Sequence, residues 1–356
     1  MRPMSEVEFR APTHARKRLI LPYTLWPQSQ LAALDSASFA NLSFLTHTLA
    51  HAQCVSRTHT GTETRASLSM PHEHARAAQQ GWPVVDGVLP WAAQAAVQAG
   101  LAQAGDGSAW GWVSLCHWQI SHGLVTLTDP ADLELDEATD AAFFSTLQPF
   151  FAEDGLHLHR HLPGVWLVQS PTLADLPTAS LERVIGDDVD AWLLGREATT
   201  PVPSASVTQW QRLQNEMQML LYTHPANATR QVPVNSFWLH GTGALPVATT
   251  SHTYAPLTPE LQAACDALRR AHLMAHPPAW AQAWQRLDAA LSQIDADEWV
   301  LCGTHAMHTY SRHTTSTPGW QGLGRTLARW LGASAHPTWR NVLAEPPAAH
   351  EAQGRA

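Results

Sequence analysis

One group of residues with metal-binding chemistry lies near the end of the chain, around the stretch "EWVLCGTHAMHTYSRH". Imidazole and carboxylate groups bind transition metals, and the sites of α/β proteins gather at the carboxyl ends of strands. The stretch therefore offers candidate ligands for a divalent metal, Mn²⁺ or Zn²⁺. Their spacing matches no standard zinc finger, so a solvated polar face remains the alternative. The candidates are Asp295, Asp297, His305, His308 and His313.

A second group lies in "YTHPANATRQVPVNSFWLHGTG", which runs from Tyr222 to Gly243. The preceding helical pattern is expected to end at His224-Pro225, and a loop with two asparagines and an arginine follows. Polar side chains on a loop held by regular elements are typical of a binding or catalytic site. The alternative is structural, with the Asn and Arg side chains satisfying backbone groups of the loop.

Other motifs give weaker evidence for a function. In "HLHRH", His157, His159 and His161 share one face of a predicted strand and could bind zinc, although a solvated polar face explains them equally well. The chain has no G-x-S-x-G elbow and no phosphate-binding Gly-rich loop. The motifs therefore assign no catalytic residue.

Composition narrows the function classes. The formal net charge of −9 argues against nucleic acid as the main partner. The four cysteines form no CxxC pair, and no signal peptide is recognisable, so we expect reduced thiols and a cytoplasmic protein. Residues 87–105 resemble a membrane span, but Pro90 and three glutamines favour an Ala-rich helix packed inside the protein.

The elements that must position these groups alternate between strands and helices. A buried strand is predicted at 17–25, a helix at 135–151 and a hairpin at 155–170 that turns at Pro163-Gly164. A long helix from Trp210 precedes the loop, and a strand that runs into a Gly-Thr-Gly turn follows it. This order favours an α/β architecture whose middle block, about 106–208, is an α+β insert.

The loop resembles a pattern of the archaeal-type cofactor-independent phosphoglycerate mutases. A closer resemblance is to a proteobacterial family of phosphoglycerate mutase-like proteins, also described as Rpf-type regulatory proteins. Its most specific signature is "RLQNEMQMLL" followed by "THP", "N", "R" and "PVNSFWLHGTGALP". The matching residues are His224, Pro225, Asn227, Arg230, Pro233, Asn235, Trp238, Gly241 and Gly243.

The resemblance implies an alkaline-phosphatase-like main lobe with an inserted α+β subdomain. It also implies two metal ions and a serine that accepts the phosphoryl group. The expected domains are a disordered arm at 1–17, the main lobe at 18–105, the insert at 106–208, the helix, the loop and the second part of the main lobe at 209–340, and a disordered tail at 341–356.

The sequence departs from this pattern where the chemistry should lie. No Asp-Gly pair follows the first strand, which continues as "ILPYTLWPQ", and "LTDPADLEL" contains no arginine. Phosphoryl transfer depends on compensation of the phosphate charge by metals or arginines. We therefore expect a divergent protein without mutase activity that binds a small phosphorylated metabolite or a protein partner. The alternative is an active metal-dependent mutase or phosphohydrolase with non-standard ligands.

Overall fold

The computed structural model describes most of the chain between Lys17 and Pro347. The described residues are 17–31, 34, 39, 41–49, 51–61, 66–121, 123–195, 204–246, 257–312 and 339–347. The predicted N-terminal arm lies outside them, apart from Lys17.

The first sheet has four strands in the order β1-β10-β11-β3. They are β1 (Arg18–Leu21), β3 (Gln53–His59), β10 (Glu298–Cys302) and β11 (Ala306–Ser311). β1 pairs with β10 in parallel, whereas β10–β11 and β11–β3 are antiparallel. The carboxyl ends of β1 and β10 therefore lie side by side.

Both faces of the β1–β10 pair are covered, as the continuous apolar run "RLIL" predicts. Ile20 and Val300 pack with Ala75 of α2 (Pro71–Gln79) on one face. Leu21 and Leu301 belong to the main core cluster on the other face, together with the helices α7 (Pro259–Leu273) and α8 (Pro277–Leu291). The predicted first strand is confirmed. α1 (Gln28–Leu31) and a π-helical segment at Phe44–Leu49 complete this part of the molecule.

The second sheet has the order β7-β8-β4-β9 and is antiparallel throughout. Its strands are β4 (Ala109–Cys116), β7 (His157–Leu162), β8 (Val165–Gln169) and β9 (Ser236–Ala244). A separate hairpin is formed by β5 (Trp118–Ser121) and β6 (Leu124–Leu127). The predicted β7–β8 hairpin is confirmed, with Gly164 at φ +75° in its turn.

Two long helices pack on the second sheet. α4 (Glu137–Glu153) begins at the N-cap Asp136, whose side chain accepts a hydrogen bond from the Thr139 N–H at 2.7 Å. α6 (Ser204–Tyr222) buries Trp210, Leu213 and Met217 in the same core cluster. Both helices confirm predictions from apolar periodicity.

The Ala-rich segment forms α3 (Trp91–Gln98), which packs on the second sheet. Its buried alanines contact Trp110 and Leu167, so the prediction of an internal helix is confirmed. Within the described ranges, no helix combines the length and the apolarity that crossing a membrane requires.

Short elements connect these units. They are β2 (Trp26–Pro27), α5 (Leu181–Val184), α9 (Trp339–Leu343), β12 (Ala344–Glu345) and 3₁₀ turns at Pro130–Leu133, Pro171–Leu173, Val189–Trp192 and Pro225–Asn227.

The structure corrects three predictions. β9 and α6 belong to the second sheet and its core, so the boundary at 208 divides a unit that backbone pairing holds together. The predicted disordered tail does not begin at 341, because β12 pairs with β2 and Glu345 is 2% exposed. The predicted Gly-Thr-Gly turn is strand, since β9 continues to Ala244 past a bulge opposite 110–112.

The mixed α/β class is confirmed. The alkaline-phosphatase-like lobe with an insertion stays a prediction. In the described part of the first sheet, one strand pair is parallel and two are antiparallel. The remaining domain boundaries stay predictions as well.

Candidate functional site

The helix that leads into the loop ends at Tyr222, and His224 begins a 3₁₀ turn at Pro225–Asn227. The His224 Nδ1 atom accepts a hydrogen bond from the Ala226 N–H at 3.1 Å. The other ring nitrogen therefore carries the proton and donates to Thr146 Oγ1 at 2.9 Å. Burial lowers the pKa of His224, which favours this uncharged ring. Both ring nitrogens are thus engaged in holding the loop.

The two asparagines bind backbone groups. Asn227 donates to the carbonyl oxygens of Leu221 and Val234, both at 2.7 Å, and accepts from the Val234 N–H at 2.9 Å. Asn235 accepts from the Trp118 N–H at 2.7 Å and donates to the Trp118 carbonyl at 2.9 Å. The Asn227 amide therefore ties the end of α6 to Val234, and the Asn235 amide ties the loop to the start of β5.

Arg230 and Trp238 have similar roles. The Arg230 guanidinium donates to the backbone carbonyls of Val232 and Leu133. The buried indole of Trp238 donates to the carbonyl of Ala179 at 2.9 Å. These contacts are made to backbone carbonyl groups of the protein itself, and they connect the loop and β9 to neighbouring segments.

The two glycines of the signature are required by the backbone. Gly241 has φ +62°, and an added Cβ would lie 2.8 Å from Trp112 Cδ1. Gly243 has φ +140°, and its Cβ would lie 3.2 Å from that of Pro90. Glycine is needed at both positions because α3 and Trp112 approach the strand closely.

An open cleft lies beside the loop, with about 940 Å³ of space not filled by protein atoms. It is lined by His117, by residues between Tyr222 and Ala228, and by 233–235. No Asp, Glu, Lys or Arg is among the described residues that line it. The loop therefore shapes a cleft whose walls carry no full charge unless a histidine is protonated.

The predicted metal ligands are not brought together. Asp295 is exposed and pairs with Arg312 at 2.5 Å, and Asp297 accepts from the Lys17 N–H at 2.9 Å, both at the start of β10. His305 lies beyond the other end of that strand, and His308 is opposite Leu301, close to that end. Strands rise about 3.3 Å per residue, which separates the acids from His308 by more than about 10 Å along the strand.

Among the described residues, no group of three or more His, Cys, Asp or Glu side chains is arranged to hold a metal ion. His313 lies outside the described residues. In β7 the three histidines are not bound together: His159 contacts the ring of Trp110 and His161 that of Trp112, while His157 is exposed.

A cluster of ionisable groups, which the sequence did not reveal, lies between the end of β1, α2, α5, α7 and the segment after β6. Tyr23 follows β1 with φ +58°, an unusual conformation for a residue with a side chain. Its hydroxyl donates to Glu182 Oε2, and His72 Nε2 lies 3.4 Å from the same oxygen. Arg269 approaches the other carboxylate oxygen at 3.8 Å and pairs with Asp129 at 2.8 Å. We call these five residues the junction cluster.

Burial and neighbouring charges set the pKa values in the junction cluster. Burial lowers the pKa of His72 to about 4, so its ring is neutral at pH 7. Burial and the adjacent Glu182 raise the pKa of Tyr23 well above its ordinary value. The pKa of Glu182 is lowered by His72, Tyr23 and Arg269, which together outweigh its burial. With His72 neutral, Arg269 is the cationic member of the cluster, and it faces the two carboxylates of Asp129 and Glu182.

Further contacts extend the junction. Arg183 donates to the carbonyl of Thr304 at 2.7 Å and to that of Ser69 at 3.0 Å. Glu73 accepts from Ser180 Oγ at 3.0 Å and from the Met70 N–H at 2.7 Å, and burial raises its pKa to about 7. These bonds join α2 and the first sheet to the segment around α5.

Ser67, His74 and Asp86 have the composition of a catalytic triad but not its geometry. Ser67 Oγ and Asp86 Oδ1 lie 3.3 and 3.2 Å from the same ring nitrogen, His74 Nε2. Ser67 itself donates to Asp86 at 2.5 Å. In a triad the histidine bridges the serine and the acid through its two different nitrogens. This group therefore holds the 67–69 turn, where Asp86 also accepts the backbone N–H groups of Leu68 and Ser69.

The junction residues come from five separate places in the sequence. Tyr23 stands in "ILPYTLW", His72 in "MPHEHA", Asp129 in "LTDPAD", Glu182 in "SLERV" and Arg269 in "ALRRAH". No spacing rule links them. The one local signal was the position of Tyr23, directly after a buried strand.

Comparison with known proteins gives distant similarities only. No protein-family model matches the chain, and no curated protein matches it. The chain is similar to the cofactor-independent phosphoglycerate mutase from Thermoplasma acidophilum, with 13% identity and a TM-score of 0.33 over 85% of this chain and 90% of that one. It is also similar to the PH0037 protein from Pyrococcus horikoshii, with 12% identity and a TM-score of 0.43 over 83% and 87%.

Both similarities are distant, and the resemblance to cofactor-independent phosphoglycerate mutases stays a prediction. The closer resemblance to the Rpf-type family stays a prediction. Because the similarity is distant, the proposals below rest on the contacts of this chain.

Proposed function

We propose that this chain is a divergent phosphoglycerate mutase-like protein of the Rpf-type group, without mutase activity, that acts in the cytoplasm as a binding or regulatory protein. The observation that carries the proposal is the state of the signature loop. Its histidine, asparagines and arginine are bonded to backbone or to Thr146, and they shape an open cleft. The loop serves to build a binding surface.

The charges of the molecule support the same proposal. Transfer of a phosphoryl group needs cations placed around the transferring oxygens. Arg269 is paired with two carboxylates, and Arg183 donates to two carbonyl oxygens. Arg230 is bound to the loop backbone. These arginines are engaged in the fold, and a dianionic phosphoryl group would have to displace those bonds.

The alternative is an active metal-dependent mutase or phosphohydrolase with non-standard ligands, Mn²⁺ or Zn²⁺ being the expected metals. One observation favours it: the carboxylate of Glu182 accepts a hydrogen bond from Tyr23, which follows the carboxyl end of β1. α/β proteins place their sites at such strand ends. Glu73, with a pKa of about 7 and a serine hydroxyl at 3.0 Å, has the protonation behaviour of a general base.

An activity assay separates the two functions. Purified protein is incubated with 2- and 3-phosphoglycerate and with Mn²⁺, Mg²⁺ or Zn²⁺, and products are followed by phosphorus NMR. We expect no interconversion and no release of phosphate. Turnover within the usual enzymatic range of about 1 to 10³ per second would overturn the proposal. In that case, loss of turnover in a His305→Ala, His308→Ala double variant would assign the ligands.

The ligand class expected from the resemblance is a small phosphorylated metabolite or a protein partner. Binding is tested apart from turnover, by thermal shift with each phosphoglycerate at millimolar concentration. A ligand present at 100 times its Kd should stabilise the protein by about 2.7 kcal/mol.

A further inference from the structure

The chemistry of the cleft beside the signature loop differs from that of a phosphate site. Its walls include Pro225, Ala228, Pro233 and Val234, and no described lining residue is acidic or carries an arginine or lysine. A ligand charge buried there would lose water without gaining a counter-ion. The lining therefore favours an uncharged ligand with a large apolar face.

Two polar side chains that line the cleft, His117 and Thr223, can form hydrogen bonds with a ligand. The Nδ1 atom of His117 lies 2.8 Å from the carbonyl oxygen of Pro233, which can only accept, so Nδ1 carries the proton. In the uncharged ring the remaining nitrogen, Nε2, is then a hydrogen-bond acceptor. The exposed hydroxyl of Thr223 also lines the cleft. A ligand with one N–H or O–H group would meet an acceptor whose orientation the protein already sets.

An aromatic side chain stands at the cleft almost fully in solvent. Tyr222 is 83% exposed, and Met219, one turn earlier on α6, is 77% exposed. Tyrosine provides a flat contact surface at small cost in conformational entropy, and aromatic rings stack in offset or edge-on arrangements. Tyr222, Pro225 and Pro233 together present flat apolar surfaces against which a planar ring can pack.

We propose that the cleft binds a small, uncharged aromatic molecule that carries one hydrogen-bond donor, of the class of indoles and phenols. The ring packs against Tyr222 and the prolines, and the donor binds Nε2 of His117. This inference rests on the proposed binding function and replaces the phosphorylated metabolite with a different ligand class for this cleft. The space of about 940 Å³ exceeds what such a ring fills, so larger substituents are accommodated.

Indole and phenol are the probes, and benzoate and phenyl phosphate are their charged counterparts. Binding to the full chain is measured by saturation-transfer NMR and by calorimetry. We expect indole and phenol to bind at least tenfold more tightly than either anion. Equal or tighter binding of phenyl phosphate would overturn the inference, as would the absence of binding by both neutral probes.

Variants locate the site. Tyr222→Ala is expected to weaken indole binding at least fivefold without changing the melting temperature, because its side chain is exposed. Met274→Ala is the matched control, since this residue is 73% exposed at the end of α7, outside the cleft. Unchanged affinity in Tyr222→Ala would place the bound probe elsewhere and reject the site.

Toluene and 1-methylindole, which lack the donor, test the role of His117. Each should bind at least threefold more weakly than phenol or indole, and equal affinity would reject the hydrogen bond. If the protein shows no turnover and binds neither neutral probe, the proposed function stands and this inference is rejected. Mutase turnover would remove the proposed function whatever the probes show.

Discussion

The junction cluster and the cleft are built in opposite ways. The junction has ionisable groups with shifted pKa values, and its carboxylates and arginine are paired. The cleft has open space and no described acidic, lysine or arginine side chain in its lining. Charge at the junction joins the end of β1 to α2, α5 and α7, and the cleft offers room where no described lining residue is acidic, lysine or arginine.

This difference has an energetic consequence. A buried ion pair contributes little net stability, because desolvation offsets attraction, but removal of one partner is costly. An exposed aromatic side chain has almost no effect on stability. Substitutions at the junction should therefore change folding, and substitutions at the cleft rim should change binding only.

The largest expected effect is acid sensitivity. Burial lowers the pKa of four histidines, His72, His240, His272 and His308, to about 4. Their contribution is present above pH 6.5 and is lost as the pH falls from about 6.5 towards 4, because the unfolded state binds more protons. Glu73, whose pKa is raised to about 7, opposes this trend between about pH 4.5 and 7, and burial also raises the pKa of Glu345, so two carboxyl groups oppose the four histidines.

We therefore expect the free energy of unfolding to fall by on the order of 5 kcal/mol between pH 7.5 and pH 4.5. Urea unfolding at pH 7.5, 6.0 and 4.5 measures it. His272→Gln, which keeps a donor for the Leu25 carbonyl, should show a shallower pH dependence. A urea midpoint that does not change with pH would contradict the assigned burial.

The next effect concerns the carboxylate of the junction. Glu182→Ala leaves the Tyr23 hydroxyl without its acceptor and Arg269 with one of its two acidic neighbours, and we expect a loss of about 3 kcal/mol. Glu216→Ala is the control, because its contact with Arg212 is 3.9 Å long and exposed, and it should cost less than about 1 kcal/mol. Similar melting temperatures for the two variants would show that the junction does not hold the end of β1 to α5 and α7.

A smaller effect is expected at the loop. Asn227→Ala removes three hydrogen bonds to backbone groups of Leu221 and Val234, and should cost about 2 kcal/mol. Gln211→Ala removes a single exposed bond to Leu194 and serves as the control. Differential scanning calorimetry compares them. An unchanged melting temperature with lost ligand binding would instead make Asn227 a ligand-contacting residue.

The smallest effect is expected at the rim of the cleft. Met219→Ala and Tyr222→Ala remove side chains that are 77% and 83% exposed, so unfolding should change by less than about 0.5 kcal/mol. The same calorimetry checks this. A loss above about 1 kcal/mol in either variant would mean that the rim is packed against other parts of the chain, and the contrast with the junction would fail.

The regular elements could be predicted from local patterns. Apolar spacing predicted α4 and α6, the alternation around Pro163-Gly164 predicted the β7–β8 hairpin, and the alanine run predicted α3. Each depends on residues within a few turns of one another, which a sequence shows directly. The loop residues were singled out because Pro, Asn and Gly at fixed offsets encode local backbone geometry, and their role as a site stays a prediction.

The candidate site could be predicted only in part. The acids near 295 and the histidines near 305 looked adjacent in sequence, but an intervening strand of five residues carries them to different ends. The roles of Asn227 and Arg230 depend on which carbonyl groups lie within reach, and this is set by the end of α6, the course of the loop at 232–234 and the segment around Leu133.

By itself the sequence determined the first strand, α3, α4, α6 and the β7–β8 hairpin, because these elements follow from short-range periodicity and backbone preferences. Only the tertiary structure decided where the charges are. The junction gathers Tyr23, His72, Asp129, Glu182 and Arg269 from across the chain, and burial there sets their pKa values. Burial and long-range pairing have no local pattern, and for that reason neither the junction nor the uncharged cleft could be read from the residues alone.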